Sequence, residues 1–257
     1  MRLFWIFPLL LLACRPAAGP TRPNILFVMA DDHTAQAWGI YGGVLAEHIQ
    51  TPAIQRHAEE GIVLNRAYCT NSICVPSRAS ILTSQYSHQN QVYTLTDTLN
   101  STLPHLAHQL QAAGYQTGLV GKWHLKSRPA GFDYFEVLPG QGRYFDPILR
   151  DSSNWDEGGK AYEGFSADVI ADRALAWLQG RKPDQPFALM VHFKGTHEPF
   201  AYPARHDSLY AGVDLPEPET LLEPWPAPEG RPFAGQLLEI LGRRYAADEN
   251  GRYPGTP

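Results

Sequence analysis

The sequence predicts an α/β fold, a mainly parallel sheet with helices on both faces, and three observations predict it. Short apolar runs alternate with stretches of helical spacing, giving the order β-α-β-α-β. The runs are close to continuously apolar, the pattern of strands covered on both faces. Several runs are followed by residues that can do chemistry, and ligands of open parallel sheets gather at the carboxyl ends of the strands.

The first run, Asn24-Ile25-Leu26-Phe27-Val28-Met29-Ala30, stops abruptly at Asp31-Asp32-His33. Thr51 as N-cap, Pro52 in the first turn and Gly61 as the stop mark a helix through Ala53 to Glu60. Ile62 to Tyr68 then reads as a strand, with Cys69 buried beside it. Pro104 to Ala113, closed by Gly114, reads as a helix with Leu103, Leu106 and Leu110 spaced to face a core. Tyr115 to Val120 is the next strand. A third helix, capped by Ser166, runs through Ile170, Ala174, Leu175 and Leu178 to Gly180, and Phe187 to Phe193 follows as a strand. Asp31, Asp32, Lys122, His124, Lys194 and His197 all fall just after these strands. From Pro203 onward the texture changes. Nine of the 22 prolines lie in 203–257, where only Gln236 to Tyr245 looks helical, so this part reads as a segment wrapping the domain formed by 21–202.

With 257 residues, 44% hydrophobic and 18% charged, the chain can bury a core, which excludes disorder and fibre. Its 26 acidic against 21 basic residues give a net charge of -5 with no long basic run, which argues against nucleic acid as a partner. Residues 1–20 carry Arg2 and the apolar run Leu3 to Ala13, too short to span a bilayer as a helix, and read as a signal peptide. Leu11-Leu12-Ala13-Cys14 resembles the bacterial lipobox, which implies lipid at Cys14 and a periplasmic or membrane-anchored product; ordinary cleavage near Ala17-Ala18-Gly19 is the alternative. Cys69 and Cys74 then remain, too few for a disulfide framework, although a bridge between them stays open.

The most informative stretch is Cys74-Val75-Pro76-Ser77-Arg78-Ala79-Ser80-Ile81-Leu82-Thr83-Ser84. Pro76 can open a helix and Ile81-Leu82 can anchor it, which puts Cys74 at a helix N-terminus where free amides favour an anion. Arg78, one turn later, adds a fixed cationic fork, so a small oxyanion such as sulfate or phosphate suits this point. Asp31 and Asp32 are adjacent carboxylates at a strand end. They suit an all-oxygen cation site for Ca2+ or Mg2+, or else form a plain turn pair. Lys122 and His124 alternate along an extended segment and can point into one site; taken singly, each is an ordinary surface or loop residue.

Cys-x-Pro-Ser-Arg at 74–78 matches the sulfatase signature, and Gly114-Tyr115-Gln116-Thr117-Gly118-Leu119-Val120-Gly121-Lys122-Trp123-His124-Leu125 is similar to the second one. On these motifs the chain is identified as a member of the formylglycine-dependent sulfatase family, of alkaline-phosphatase-like fold. The resemblance implies that a maturation enzyme oxidises Cys74 to formylglycine, which becomes the nucleophile. It implies that Arg78, Lys122 and His124 meet the sulfate and the formylglycine, and that Asp31, Asp32 and position 74 bind the metal. His197, in His192-Phe193-Lys194-Gly195-Thr196-His197-Glu198-Pro199, resembles the family's later histidine that contacts the sulfate or the leaving oxygen. Lys194 is a substrate candidate beside it, and His33 is either substrate-facing or a support for the carboxylates.

The resemblance runs from about Pro23 to Glu219, and family members are longer, with a further strand ending in a metal-binding Asp-Asn or Asp-His pair. Asp248-Glu249-Asn250-Gly251 does not follow a buried strand, so a fragment with poor turnover is the expectation. Gly131-Phe132-Asp133-Tyr134-Phe135 and Leu138-Pro139-Gly140-Gln141-Gly142-Arg143-Tyr144 look similar to the corresponding stretch of sulfatases acting on sulfated amino sugars, and aromatic platforms suit sugars. A phosphate or phosphonate ester hydrolase of the same superfamily and a non-catalytic, lipid-anchored glycan-binding protein are the competing readings.

Overall fold

The structure is a computed structural model, and it describes residues 22–217. The expected leader at 1–20, the expected helix Gln236 to Tyr245 and the stretch Asp248 to Gly251 lie outside the described residues. In chain order the elements are β1 (Ile25–Met29), α1 (Pro52–Glu60), α2 (Cys74–Thr83), α3 (Ser87–Asn90), α4 (Leu106–Ala112), β2 (Gln116–Lys122), β3 (Tyr134–Leu138), β4 (Ile148–Leu149), β5 (Lys160–Ala161), α5 (Ser166–Gly180) and β6 (Phe187–His192). The main sheet is parallel throughout, in the order β1-β6-β2-β3. A short antiparallel pair, β4 with β5, lies beside it.

The two-residue period of the strands sorts their side chains into two cores. Leu119, Phe135, Val137 and Met190 face α2 and pack on Val75, Ala79 and Leu82. Val120, Leu138, Leu189 and Val191 face the other way, onto Val169, Ile170 and Ala174 of α5. Helices thus cover both faces, as expected, and β6 is inserted between β1 and β2.

Four expectations need correction. First, β1 is not buried on both faces. Among the described residues it pairs only with β6, and α5 packs across β2 and β6, leaving Leu26 and Val28 54% and 58% exposed. Second, Ile62 to Tyr68 forms no strand and is largely exposed, because no described strand lies alongside to take its backbone hydrogen bonds. Cys69 is accordingly exposed rather than buried, and both thiols are free. Third, α4 turns Leu106 outward and presents His105 and Ala107 to the core. Fourth, Ser166 does not cap α5; Phe165 holds that place and Ser166 is buried in the first turn, its N–H donating to the Tyr144 carbonyl.

His105 sits at the start of α4 against His108, ring centroids 4.0 Å apart, and the Nδ1 atoms of both lack a partner among the described residues. Burial, and then the neighbouring His108, push the His105 pKa down to about 4. The unfolded chain therefore binds more protons between pH 6.5 and 4, so stability falls on acidification through that window. The loss attributable to His105 is roughly 3 kcal/mol when complete. Urea denaturation at pH 7 and pH 4.5 checks it: His105→Phe is expected to show a distinctly smaller pH dependence than the parent chain.

Candidate functional site

Three neighbouring strands, β1, β6 and β2, end side by side, and their carboxyl ends carry most of the predicted residues. Asp31 follows β1, Lys122 closes β2, and Lys194 and His197 follow β6. Backbone bonds lock the ends together: the Asp31 N–H donates to the Gly195 carbonyl at 2.9 Å, and the Thr196 N–H to the Asp31 carbonyl at 2.7 Å. The N-terminus of α2 meets them from one face. Its N-cap, Ile73, has no side-chain acceptor, so the amides of Cys74 and Val75 are not capped by it.

At the centre is a buried triad of charges. Arg78 donates from Nη2 to Asp31 Oδ1 at 2.7 Å, and the Lys122 ammonium donates to Asp31 Oδ2. Arg78 is 5% exposed and Lys122 fully buried. Burial opposes ionisation of Asp31, but the charges of Arg78 and Lys122 outweigh it and hold its carboxyl below the usual range. Arg78 Nη1 also donates to the Lys122 carbonyl at 2.5 Å, and the same oxygen accepts from His192 Nδ1 at 3.2 Å. Two cations on one carboxylate leave a net positive charge, which is what an incoming sulfate requires.

Cys74 faces this triad half-buried. Burial, reinforced by Asp31 and Asp32, pushes its thiol pKa up despite Lys122 and Arg78. The unmodified side chain is therefore a protonated thiol at neutral pH and a poor nucleophile. Ligand atoms of Asp31, Cys74 and His197 lie within 4.8 Å of one another. His197 donates through Nδ1 to the Glu198 carbonyl at 2.8 Å, so Nε2, 3.6 Å from Asp32 Oδ2, is the atom that faces the site. At neutral pH the His124 imidazole is uncharged: burial, then Lys122 and Arg78, lower its pKa to about 4. Lys194 is buried, not a surface lysine, with its ammonium 4.7 Å over the Tyr144 ring.

The structure thus brings Asp31, Cys74, Arg78, Lys122, His124 and His197 together, with Asp32 at the exposed rim and Lys194 packed behind. His124 arrives differently from the expectation. It has φ 59, so the chain turns after β2 instead of continuing extended. His33 stands apart, its Nδ1 accepting from Trp38 Nε1 and its ring edge-on to the indole at 4.7 Å. The supposed aromatic platform is also redistributed: Phe135 lies in the core of β3 and Phe132 packs against it. Missed in the sequence were His192, Gln141, which accepts from the Lys122 ammonium, and Tyr144, whose hydroxyl donates to the His197 carbonyl. The turn signal Pro139-Gly140-Gln141-Gly142 was the available hint for the loop.

As a cation site, Asp31 and Asp32 offer hard oxygen donors, and an oxygen at position 74 would add one. These fit Ca2+ or Mg2+ chemically as part of a shell, since Ca2+ takes about six to eight oxygens. A cavity of about 550 Å3 between Ala67 to Thr70 and the flank of α2 contains none of the predicted residues.

A family model described as Sulfatase matches residues 23–243. An N-acetylglucosamine-6-O-sulfatase of Bacteroides thetaiotaomicron is 40% identical over 91% of this chain and 42% of its own length. The human N-acetylgalactosamine-6-sulfatase is 30% identical over 71% of this chain and 41% of its own. The chain thus spans about two fifths of the length of these curated relatives. A solved structure in complex with its substrate, D-glucosamine-2-N,6-O-disulfate, superposes with TM-score 0.74 at 40% identity, over 79% of this chain and 40% of that one. Ps i-CgsB bound to k-i-k-neocarrahexaose shares the fold at 20% identity, with TM-score 0.68 over 87% of this chain and 55% of that one. The strand-end cluster and these likenesses agree, and the chain belongs to the sulfatase family.

Proposed function

We propose that the chain carries the nucleophile and the oxyanion-binding half of an exported carbohydrate sulfatase that removes sulfate from an amino sugar. The observation that carries this reading is the buried Asp31-Arg78-Lys122 triad facing Cys74 at the end of the parallel sheet. Converted to formylglycine by a maturation enzyme, position 74 would supply a hydrated aldehyde hydroxyl able to attack sulfur. A Ca2+ or Mg2+ held by Asp31 and Asp32 would supply Lewis-acid polarisation of the sulfate. Arg78 and Lys122, fixed by Asp31 and pre-aimed, stabilise negative charge growing on the equatorial oxygens. His197 presents Nε2 to the departing sugar oxygen and is placed to deliver a proton there. His124, held neutral by its surroundings, is the base that takes a proton at position 74 when sulfate leaves.

The amino-sugar sulfate is supported by the relatives at 40% identity, an N-acetylglucosamine-6-O-sulfatase and a structure holding D-glucosamine-2-N,6-O-disulfate. The division into a leader at 1–20, a catalytic part at 21–202 and a wrapping segment is part of the same proposal. Arg205, early in that segment, is pinned bidentate to Asp168 of α5 at 2.7 and 2.8 Å. Among the described residues no helix is long and apolar enough to cross a membrane.

The test is to produce the chain with a formylglycine-generating enzyme, confirm loss of sulfur at residue 74 by peptide mass spectrometry, and assay glucosamine 6-sulfate with Ca2+ present. Slow sulfate release is expected, because Asp31, Asp32 and an oxygen at position 74 supply only part of the about six to eight oxygens that Ca2+ takes. Cys74→Ala is expected to lower it by at least about 1000-fold, to background. Sulfate release retained in Cys74→Ala would overturn the assignment, and faster hydrolysis of glucosamine 6-phosphate would move it to phosphate esters.

A further inference from the structure

Lys122 donates to two acceptors, the Asp31 carboxylate and the side chain of Gln141. Gln141 sits at the tip of a turn after β3, closed by the Gly142 N–H donating to the Pro139 carbonyl at 3.0 Å. Gly142 has φ 71, and a Cβ there would stand 2.7 Å from Leu138 Cδ1, so the turn is specific and tight. The far side of the same loop is anchored as well. Tyr144 is 5% exposed, its hydroxyl donates to the His197 carbonyl, and its ring lies under the Lys194 ammonium. The loop therefore bridges Lys122, where sulfate oxygens are bound, and His197, where the sugar oxygen departs.

An ammonium only donates, so the amide of Gln141 must turn Oε1 toward Lys122. This fixes the opposite end: Nε2 points away from Lys122 and finds no acceptor among the described residues, nor is it sealed from solvent. We infer that Gln141 is a specificity-determining residue whose amide N–H groups donate to a hydroxyl or amide oxygen of the sugar ring next to the sulfate ester. The inference rests on the function proposed above and deepens it, naming a group that reads the sugar and not the sulfate. Its half-buried position and two-sided anchoring mean the donor is set in place before the ligand arrives.

The experiment is calorimetric titration of the chain with inorganic sulfate and, separately, with glucosamine 6-sulfate, for the parent, Gln141→Ala and Gln141→Met. Met keeps the length and bulk of the side chain without its hydrogen bonds. The preference for the sugar ester over inorganic sulfate is expected to fall about 10-fold in both variants. A loss of equal proportion for the two ligands, or no loss, would show that Gln141 only supports Lys122 and would overturn the inference while leaving the proposed function intact. A parent chain that binds neither ligand would overturn both.

Discussion

Gly121→Ala is expected to destabilise the folded state severely. Gly121 is the residue of β2 that pairs with His192 of β6, with φ 103, and an alanine Cβ would lie 1.9 Å from the His192 carbonyl oxygen and 2.9 Å from its carbon. Both atoms are backbone, so relief requires parting β2 from β6 at the point where Lys122, His192 and Arg78 converge. The positive φ adds a conformational cost for any L side chain. Together these put the loss above about 4 kcal/mol, a large part of the total stability of an ordinary domain. Urea denaturation followed by circular dichroism measures it. Gly180→Ala serves as the control, since Gly180 ends α5, a Cβ there would meet no described residue within 4 Å, and the change is expected to gain or lose less than about 1 kcal/mol. A Gly121→Ala chain with the parent's midpoint would contradict the sheet register described here.

Asp31→Ala is expected to cost about 3–5 kcal/mol, because it strands two buried cations, Arg78 and Lys122, without their shared anion. The penalty is one of uncompensated charge, so its signature is recovery by a second change. Asp31→Ala combined with Lys122→Met removes one cation and fills its volume, and is expected to regain a substantial part of the loss. Sulfate provides an independent check. Added to Asp31→Ala it can occupy the place of the lost carboxylate, so it should raise that variant's urea midpoint more than the parent's. Equal shifts would mean that the triad is not an anion site.

The residues that could be read from the sequence are those whose chemistry is local. Cys74, Pro76 and Arg78 lie on one helix start, and the spacing that makes them a motif also fixes their geometry. Lys122 was legible as a charged residue closing an apolar run. Its burial was not, because that depends on Asp31, which arrives from another strand. Strand order was likewise hidden: nothing local tells β6 to enter between β1 and β2. Leu26, Val28 and the run Ile62 to Tyr68 show the converse error, since an apolar pattern signals a preference for neighbours without supplying them. Gln141, Tyr144 and His192 act through main-chain carbonyls or one distant ammonium, contacts that leave no spacing rule behind.

The pairing of β1 with β6 also bears on how the molecule reaches this state. At its base, the Phe187 N–H donates to Asn24 Oδ1 across 163 residues of chain. Closing so long a loop has a large entropic cost before any contact rewards it, which places the chain among topologies that fold slowly, on a scale of about milliseconds to seconds. During synthesis the segment around Cys74 emerges well before β6 exists to complete the sheet. The thiol that ends half-buried against Asp31 thus passes through an interval in which it stands on an open chain, and any chemistry performed on that sulfur has its easiest access then.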